Sequence, residues 1–335
     1  MPLGFDKSSE EKRKKTWKEK TSTIRIGRKT YPLIYPGLRD ARVIQVSALT
    51  SYALLGQTIY SFQVNPLHIL ICVGTAALID LAMNFWLKKI VLFPVSGMIA
   101  GFGISMMLRI RPSEWTYAIY FGAAAVSVLS KYVFTTRWSG VKKHIFNPSN
   151  FGICLTFFLL PAITYPTPQQ WDKTWWLMLY ISCIGLVLAR SAKVMTVVAT
   201  FLLTEIALFV IHEGALLQGR LPYLLQNIVP ALLSPALVIF SFHMLPDPRT
   251  IPEGQQMRIV FAMATAIMHW LFISFGYSVK SIYLALIVTS LFVPLMNRMT
   301  LPEAKPFTFL KRWKKKVPGP KQKPKARARM IPRPA

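Results

Sequence analysis

Residues 144–152, His-Ile-Phe-Asn-Pro-Ser-Asn-Phe-Gly, form a polar, turn-forming string between two long apolar segments. Asn147-Pro and Ser149-Asn150 combine turn initiation with N-cap chemistry, so the string is expected to end in the first turn of a helix. Backbone N–H groups at such an end attract anions or polar head atoms. A second punctuated string runs from Phe240 to Gly254 and contains Leu-Pro-Asp-Pro-Arg-Thr at 245–250. Pro246 and Pro248 cannot continue a regular helix, so Asp247 is expected in a rigid turn with Arg249 and Thr250 close by.

Two acids interrupt apolar stretches. Asp80 lies in Ala-Leu-Ile-Asp-Leu-Ala-Met-Asn84, with Asn84 one helical turn away on the same face. Glu205 lies in Phe-Leu-Leu-Thr-Glu-Ile-Ala. An ionisable group inside a membrane is costly enough to suggest a function, here a shared cation or proton. The competing reading is a structural ion pair with an interior base, for which Lys131 is the candidate.

These residues must be held by helices in a bilayer. The chain has 335 residues, of which 53% are apolar, and a bilayer core needs about 20 apolar residues per helix. About ten segments qualify: 41–63, 67–87, 90–108, 115–134, 150–165, 174–189, 194–212, 226–244, 258–276 and 279–297. The expected class is therefore an all-α polytopic membrane protein. A basic tail (1–40), a transmembrane domain (41–297) and a basic, disordered tail (298–335) make up its organisation.

The net charge of +27 is concentrated in the two tails, which points to retention on the cytoplasmic side and not to nucleic acid. Two cytoplasmic tails require an even number of spans. The short loops agree, with Lys88-Lys89, Lys131–Lys143, Arg190 with Lys193, and Arg249 with Arg258 on the inner side. Arg109 and Arg111 are the exception. The N-terminus lacks the apolar core of a signal peptide, and both tails are suited to anionic lipid.

Cys72, Cys154 and Cys183 lie in apolar segments without metal-ligand spacing and are expected to pack. The five histidines raise the possibility of haem held between facing helices, with hydrogen-bonded or interfacial histidines as the plainer reading. Gly97-Met-Ile-Ala-Gly101 fits close helix packing better than phosphate binding.

The pattern Lys131…Gly140-x-Lys-Lys-His-Ile-Phe-Asn-Pro-Ser-Asn-Phe-Gly-Ile153, followed by Phe242-x-Met-x-x-Asp-Pro-x-Thr250, resembles the membrane subunits of the NqrB/RnfD family. Within that family it is similar to the UnbU-like branch associated with enediyne biosynthesis. The resemblance implies about ten spans, a place beside other membrane or redox subunits, and electron transfer coupled to Na⁺ or H⁺ movement. Family members use the loop matching His144–Asn147 next to a flavin, commonly with Asn where this chain has His144. They attach FMN to Thr in a Ser/Thr-Gly-Ala-Thr motif, and no such tetrapeptide occurs here, although Thr164, Thr167 and Thr174 lie in the corresponding region. Covalent FMN is not expected. A non-covalent flavin, riboflavin or FMN, remains compatible because an imidazole can hydrogen-bond a flavin oxygen.

Two functions follow. In the first, the chain is an electron-transport subunit of the cell membrane, the inner membrane in a bacterium. It would bind a flavin or quinone near Lys131, His144, Asn147, Asn150, Asp247 and Thr250, with Asp80, Asn84 and Glu205 as an ion path. It would be non-catalytic or electron-carrying within an oxidoreductase complex, without a metal site. In the second, it is a redox-free transporter or permease on the same scaffold.

Overall fold

The computed structural model describes residues 20–38, 40–59, 65–138, 141–166, 175–216, 234–277 and 280–299. The helices are α1 (Ala41–Thr58), α2 (Pro66–Lys88), α3 (Val95–Met107), α4 (Thr116–Val133), α5 (Pro148–Leu159), α6 (Trp175–Ser191) and α7 (Met195–Leu216). They continue with α8 (Pro235–Ile239), a π-helical turn over Phe240–Met244, α9 (Gln255–Ser274), α10 (Ser281–Leu291) and α11 (Val293–Arg298). Helix starts are written locally. Asp40 and Asn65 accept from the backbone N–H of Arg42 (2.9 Å) and Leu67 (2.8 Å), and Pro66 and Pro148 occupy first turns, where their missing N–H costs nothing.

Large apolar side chains lie on the surface, and polar ones are interspersed in a largely apolar core. Leu54, Leu70, Leu78, Leu129, Leu179 and Leu203 are exposed, whereas Asp80, Asn84, Ser105, Ser127, Glu205, Thr265 and Thr289 are buried. An apolar exterior with the polar groups held inside the bundle suits lipid-facing helices. Among the described residues three helical stretches, Pro66–Lys88, Met195–His212 and Gln255–Ser274, are long and apolar enough to cross a membrane. Val95–Met107, Pro148–Leu159, Trp175–Ser191 and Ser281–Leu291 are shorter apolar helices.

Helix occurs within each of the ten expected segments, but several boundaries move. The third segment, expected over 90–108, is helical only over Val95–Met107; β3 (Val91–Leu92) precedes it and β4 (Leu108–Ile110) follows. The fifth, expected over 150–165, starts at Pro148 and stops at Leu159. Beyond it β7 (Thr164–Pro166) pairs antiparallel with β4. Thirteen residues of α3 rise only about 20 Å, short of a bilayer core of about 30 Å. The strand pair supplies hydrogen-bond partners to backbone that leaves both short helices early. Arg109, the exception to the charge pattern, lies in β4 with its guanidinium over the Tyr165 ring, 6.0 Å from the centroid.

Part of the N-terminal segment is folded rather than a simple charged tail. β1 (Lys20–Ile26) and β2 (Lys29–Tyr35) form a hairpin, with Gly27 at φ +61° in its turn, and β2 pairs parallel with β3. Tyr31 packs on Phe85 at 5.1 Å, fastening the hairpin to the end of α2. The first 19 residues, residue 300 onward, and Thr167 and Thr174 lie outside the described residues.

α3 packs closely on α2 because it presents glycines. A Cβ on Gly97 would stand 2.5 Å from the Ala76 carbonyl oxygen, and one on Gly101 2.5 Å from that of Cys72. The close-packing reading of Gly97–Gly101 is borne out. Cys72 and Cys154 are buried as expected, but Cys183 is exposed on α6, whose outer side carries Leu179, Leu186 and Val187.

Candidate functional site at the two punctuated loops

The strands β5 (Thr135–Trp138) and β6 (Val141–His144) form an antiparallel hairpin that delivers the chain from α4 to the start of α5. Asn147 caps α5 in extended conformation, its Oδ1 accepting from the Asn150 N–H at 3.1 Å. Its other end reaches across the molecule, where Nδ2 donates to the Met244 carbonyl at 3.0 Å. That carbonyl is available because Pro248, four residues on, has no N–H to offer it. The π-turn itself is closed by the Leu245 N–H donating to the Phe240 carbonyl at 2.9 Å. Gly185 of α6 makes room for it, since a Cβ there would meet the Phe242 side chain at 2.5 Å.

Two further links join the loops. His144 Nε2 lies 3.4 Å from Asp247 Oδ2, and Lys143 Nζ pairs with Glu253 at 2.6 Å. Asp247 accepts the Arg249 N–H on Oδ1 at 3.0 Å, and its carbonyl accepts the Thr250 N–H at 3.0 Å, closing the Pro-Asp-Pro turn. Burial pushes the Asp247 carboxyl up, but the His144 hydrogen bond and charge, the Arg249 N–H and the Arg249 guanidinium together hold it below the usual carboxylate range.

Between these loops and helices α1, α3 and α6 lies a cavity of about 190 Å³. Its polar lining includes Arg42, His144, Asn147, His243, Asp247 and Arg249; its apolar lining includes Leu49, Phe102, Met106, Met107, Leu188 and Phe242. Three expected site residues, His144, Asn147 and Asp247, are therefore on one wall. The other three are set apart from it. Asn150 donates to the Tyr283 carbonyl at 3.0 Å, and Thr250 is buried in the Pro-Asp-Pro turn. Lys131 stands one bond behind the wall, donating to Ser96 at 3.1 Å while pairing with Asp80 at 2.7 Å.

The two acids within the candidate spans occupy different environments. Asp80 accepts from the Tyr132 hydroxyl at 2.8 Å and the Gly97 N–H at 3.1 Å besides Lys131, so of the two readings of this acid the geometry shows the ion pair. Asn84 donates to the Asp80 carbonyl (2.7 Å) and to Tyr132 (3.0 Å) and accepts from Lys88 (2.8 Å). Glu205 on α7 receives the α9 pair His269 and Trp270: Nδ1 lies 2.9 Å from Oε1, and Nε1 donates to Oε2 at 2.9 Å. The His212 ring lies tilted against the same indole, with centroids 5.0 Å apart. Glu205 is thus bound to a neutral donor and a titratable one.

The sequence also raised haem between paired histidines. His68 stacks on Tyr120 at 4.3 Å and His243 meets Tyr52 at 5.5 Å, which agrees with the plainer reading of these rings. Among the described residues no group of three or more His, Cys, Asp or Glu side chains is arranged to hold a metal ion. Sequence reasoning did not place Arg42 or His243 at the site. The available signal for His243 was its position three residues before Pro246 of the Pro-Asp-Pro turn, where regular helix must fail.

Residues 166–305 match the model of the NQR2, RnfD, RnfE family. That family comprises membrane subunits of redox-linked, ion-translocating complexes. The match includes the 240–254 loop and the Glu205–His269 pair; the His144–Gly152 loop precedes it. A search of curated proteins finds no match.

Proposed function

We propose that this chain is a multi-pass subunit of a redox-linked, ion-translocating membrane complex, with both tails in the cytoplasm and its partners being other membrane or redox subunits. The tails rest on anionic lipid, and nucleic acid is not a partner. The observation that carries the reading is the cavity framed by both punctuated loops and clamped by Asn147. A flavin or quinone suits it: Phe102 and Phe242 and the thioethers of Met106 and Met107 offer aromatic and polarisable walls, and Asn147, His144 and Arg249 offer polar edges.

The residues present fit a non-covalently held ring better than covalent FMN, because the chain has no Ser/Thr-Gly-Ala-Thr sequence. When bound, such a group would supply the capacity to take up and release electrons. The protein's own residues bind and orient it: His144 and Asp247 fix one another, and Asn147 holds the π-turn against the start of α5. Glu205 with His269 forms a buried acid–imidazole pair suited to holding a proton in the second half of the bundle. Asp80, bound to Lys131, is assigned to structure within the ion path and not to transient cation binding.

The test is an absorption and fluorescence spectrum of the detergent-purified protein before and after acid precipitation. A flavin spectrum released into the supernatant is the expected result. A colourless protein that also fails to bind added quinone refutes the redox reading and supports the redox-free permease on the same scaffold.

A further inference from the structure

The β1–β2 hairpin leaves an apolar face partly uncovered at the end of a candidate span. Directly opposed residues share a face of an antiparallel pair; here Ile24 stands opposite Tyr31, Ser22 opposite Leu33 and Ile26 opposite Lys29. Tyr31 packs on Phe85, three residues before the last residue of α2, so this face is turned toward the end of that helix. Tyr31 and Leu33 are half-buried there, but Ile24 and Ile26 overhang, 37% and 46% exposed. Trp86, Leu87 and Phe93, where the chain leaves α2, are exposed as well. Aromatic rings gathered at the end of a span mark the headgroup level of a bilayer.

The charge of the hairpin is one-sided. Residues 20–35 carry Lys20, Arg25, Arg28 and Lys29 and no Asp or Glu. Among the described residues none of these four side chains has an ion-pair partner. Bare isoleucines ringed by cations are matched by a surface that is apolar below and anionic above, the boundary of a leaflet containing acidic phospholipid. An acidic protein would match the cations but gives no reason for the isoleucines to lie level with the end of a span. We propose that the β1–β2 hairpin is a lipid-binding element. Ile24 and Ile26 enter the acyl boundary, and Arg28 and Lys29 meet the phosphodiester groups of acidic phospholipids. This rests on the membrane reading given above and adds a folded contact whose orientation is fixed by Tyr31 on Phe85.

The test uses the full-length chain in liposomes with Cys183→Ser, which leaves the buried Cys72 and Cys154. A bimane label on Ile24→Cys, or on Thr23→Cys from the opposite face, is read for quenching by lipid carrying a nitroxide near the headgroup. A label on Leu78→Cys, exposed midway along α2, is read against a nitroxide near the chain end and reports the span itself. Quenching is expected to be about twofold or more stronger at position 24 than at 23. It should rise when phosphatidylglycerol replaces part of the phosphatidylcholine. Arg28→Glu with Lys29→Glu should remove that rise, since each basic residue contributes about fivefold to affinity for anionic lipid. Equal quenching at the two positions, or quenching of position 24 by aqueous iodide instead, overturns the proposal. A position 24 shielded from both nitroxide and iodide also overturns it and gives the face to a protein partner. In each case a quenched Leu78 label leaves the membrane reading intact, whereas an unquenched one overturns that reading too. Ile26→Cys carries the measurement should Ile24→Cys not purify.

Discussion

Replacing Asn147 separates two bonds that one side chain makes. Asn147→Ser keeps an oxygen that can cap α5 but cannot reach the Met244 carbonyl, whereas Asn147→Ala loses both interactions. The cap contributes about 1 kcal/mol. A buried carbonyl left unpaired costs about 1–3 kcal/mol, and Met244 cannot recover its bond locally because Pro248 has no N–H. Asn147→Ala should therefore destabilise by about 2–4 kcal/mol and Asn147→Ser by about 1–3 kcal/mol. Asn147→Asp should be worse than Asn147→Ser, since it sets a carboxylate against the Met244 carbonyl. The measurement is reversible unfolding in mixed micelles with increasing SDS, followed by tryptophan fluorescence. Wild-type stability in Asn147→Ser would refute the clamp. Equal losses in Ser and Ala would show that the cap contributes nothing.

Asp80→Asn or Lys131→Met alone should destabilise by about 3–5 kcal/mol, because each leaves a buried charge without its 2.7 Å partner, and the double variant should recover much of the loss; additive losses in the same unfolding assay would count against the pairing. Glu205→Gln keeps the volume and a carbonyl acceptor for Trp270 but cannot accept a proton from His269. It should fold normally and reduce ion flux by about tenfold or more in proteoliposomes of the assembled complex, the scale expected for losing a proton-relay group, and unchanged flux returns it to structure. Asp247 is held below the usual carboxylate range in the folded protein. Its contribution is therefore present above the unfolded pKa of about 3.9 and lost as pH falls through the lower folded value. Thermal unfolding between pH 6 and 2.5 should show an acid-side loss that Asp247→Asn lacks. Gly101→Leu should separate α3 from α2, where even a Cβ meets the Cys72 backbone at 2.5 Å, and a variant that purifies at wild-type stability contradicts that packing.

The helix positions were legible because long apolar runs separated by charged or proline-rich strings allow few arrangements. Their ends were not, because α3 and α5 stop where β4 and β7 pair, and those partners lie more than fifty residues apart. The Gly97–Gly101 spacing correctly announced a close approach, but only packing shows that the partner is α2. Asp80 illustrates the same limit: Lys131 was named as one partner, yet nothing in the order of residues decides between an ion pair and a cation site. In the candidate site, His144, Asn147 and Asp247 were recognisable by type. Lys131, Asn150 and Thr250 were grouped with them through the family-like pattern that spans both strings, and the geometry turns all three elsewhere. His243 was hidden because its position depends on a π-turn, which no periodicity of side chains announces.

The bonds from residues 143, 144, 147 and 150 to Glu253, Asp247, Met244 and Tyr283 form a seam of four fasteners within eight consecutive residues. Were the 240–254 loop and α10 to move together against α5, all four fasteners would have to open together. Such a motion would act like a latch with two settings rather than a graded hinge. Weakening any one fastener should shift how often the latch is open while leaving both settings in place.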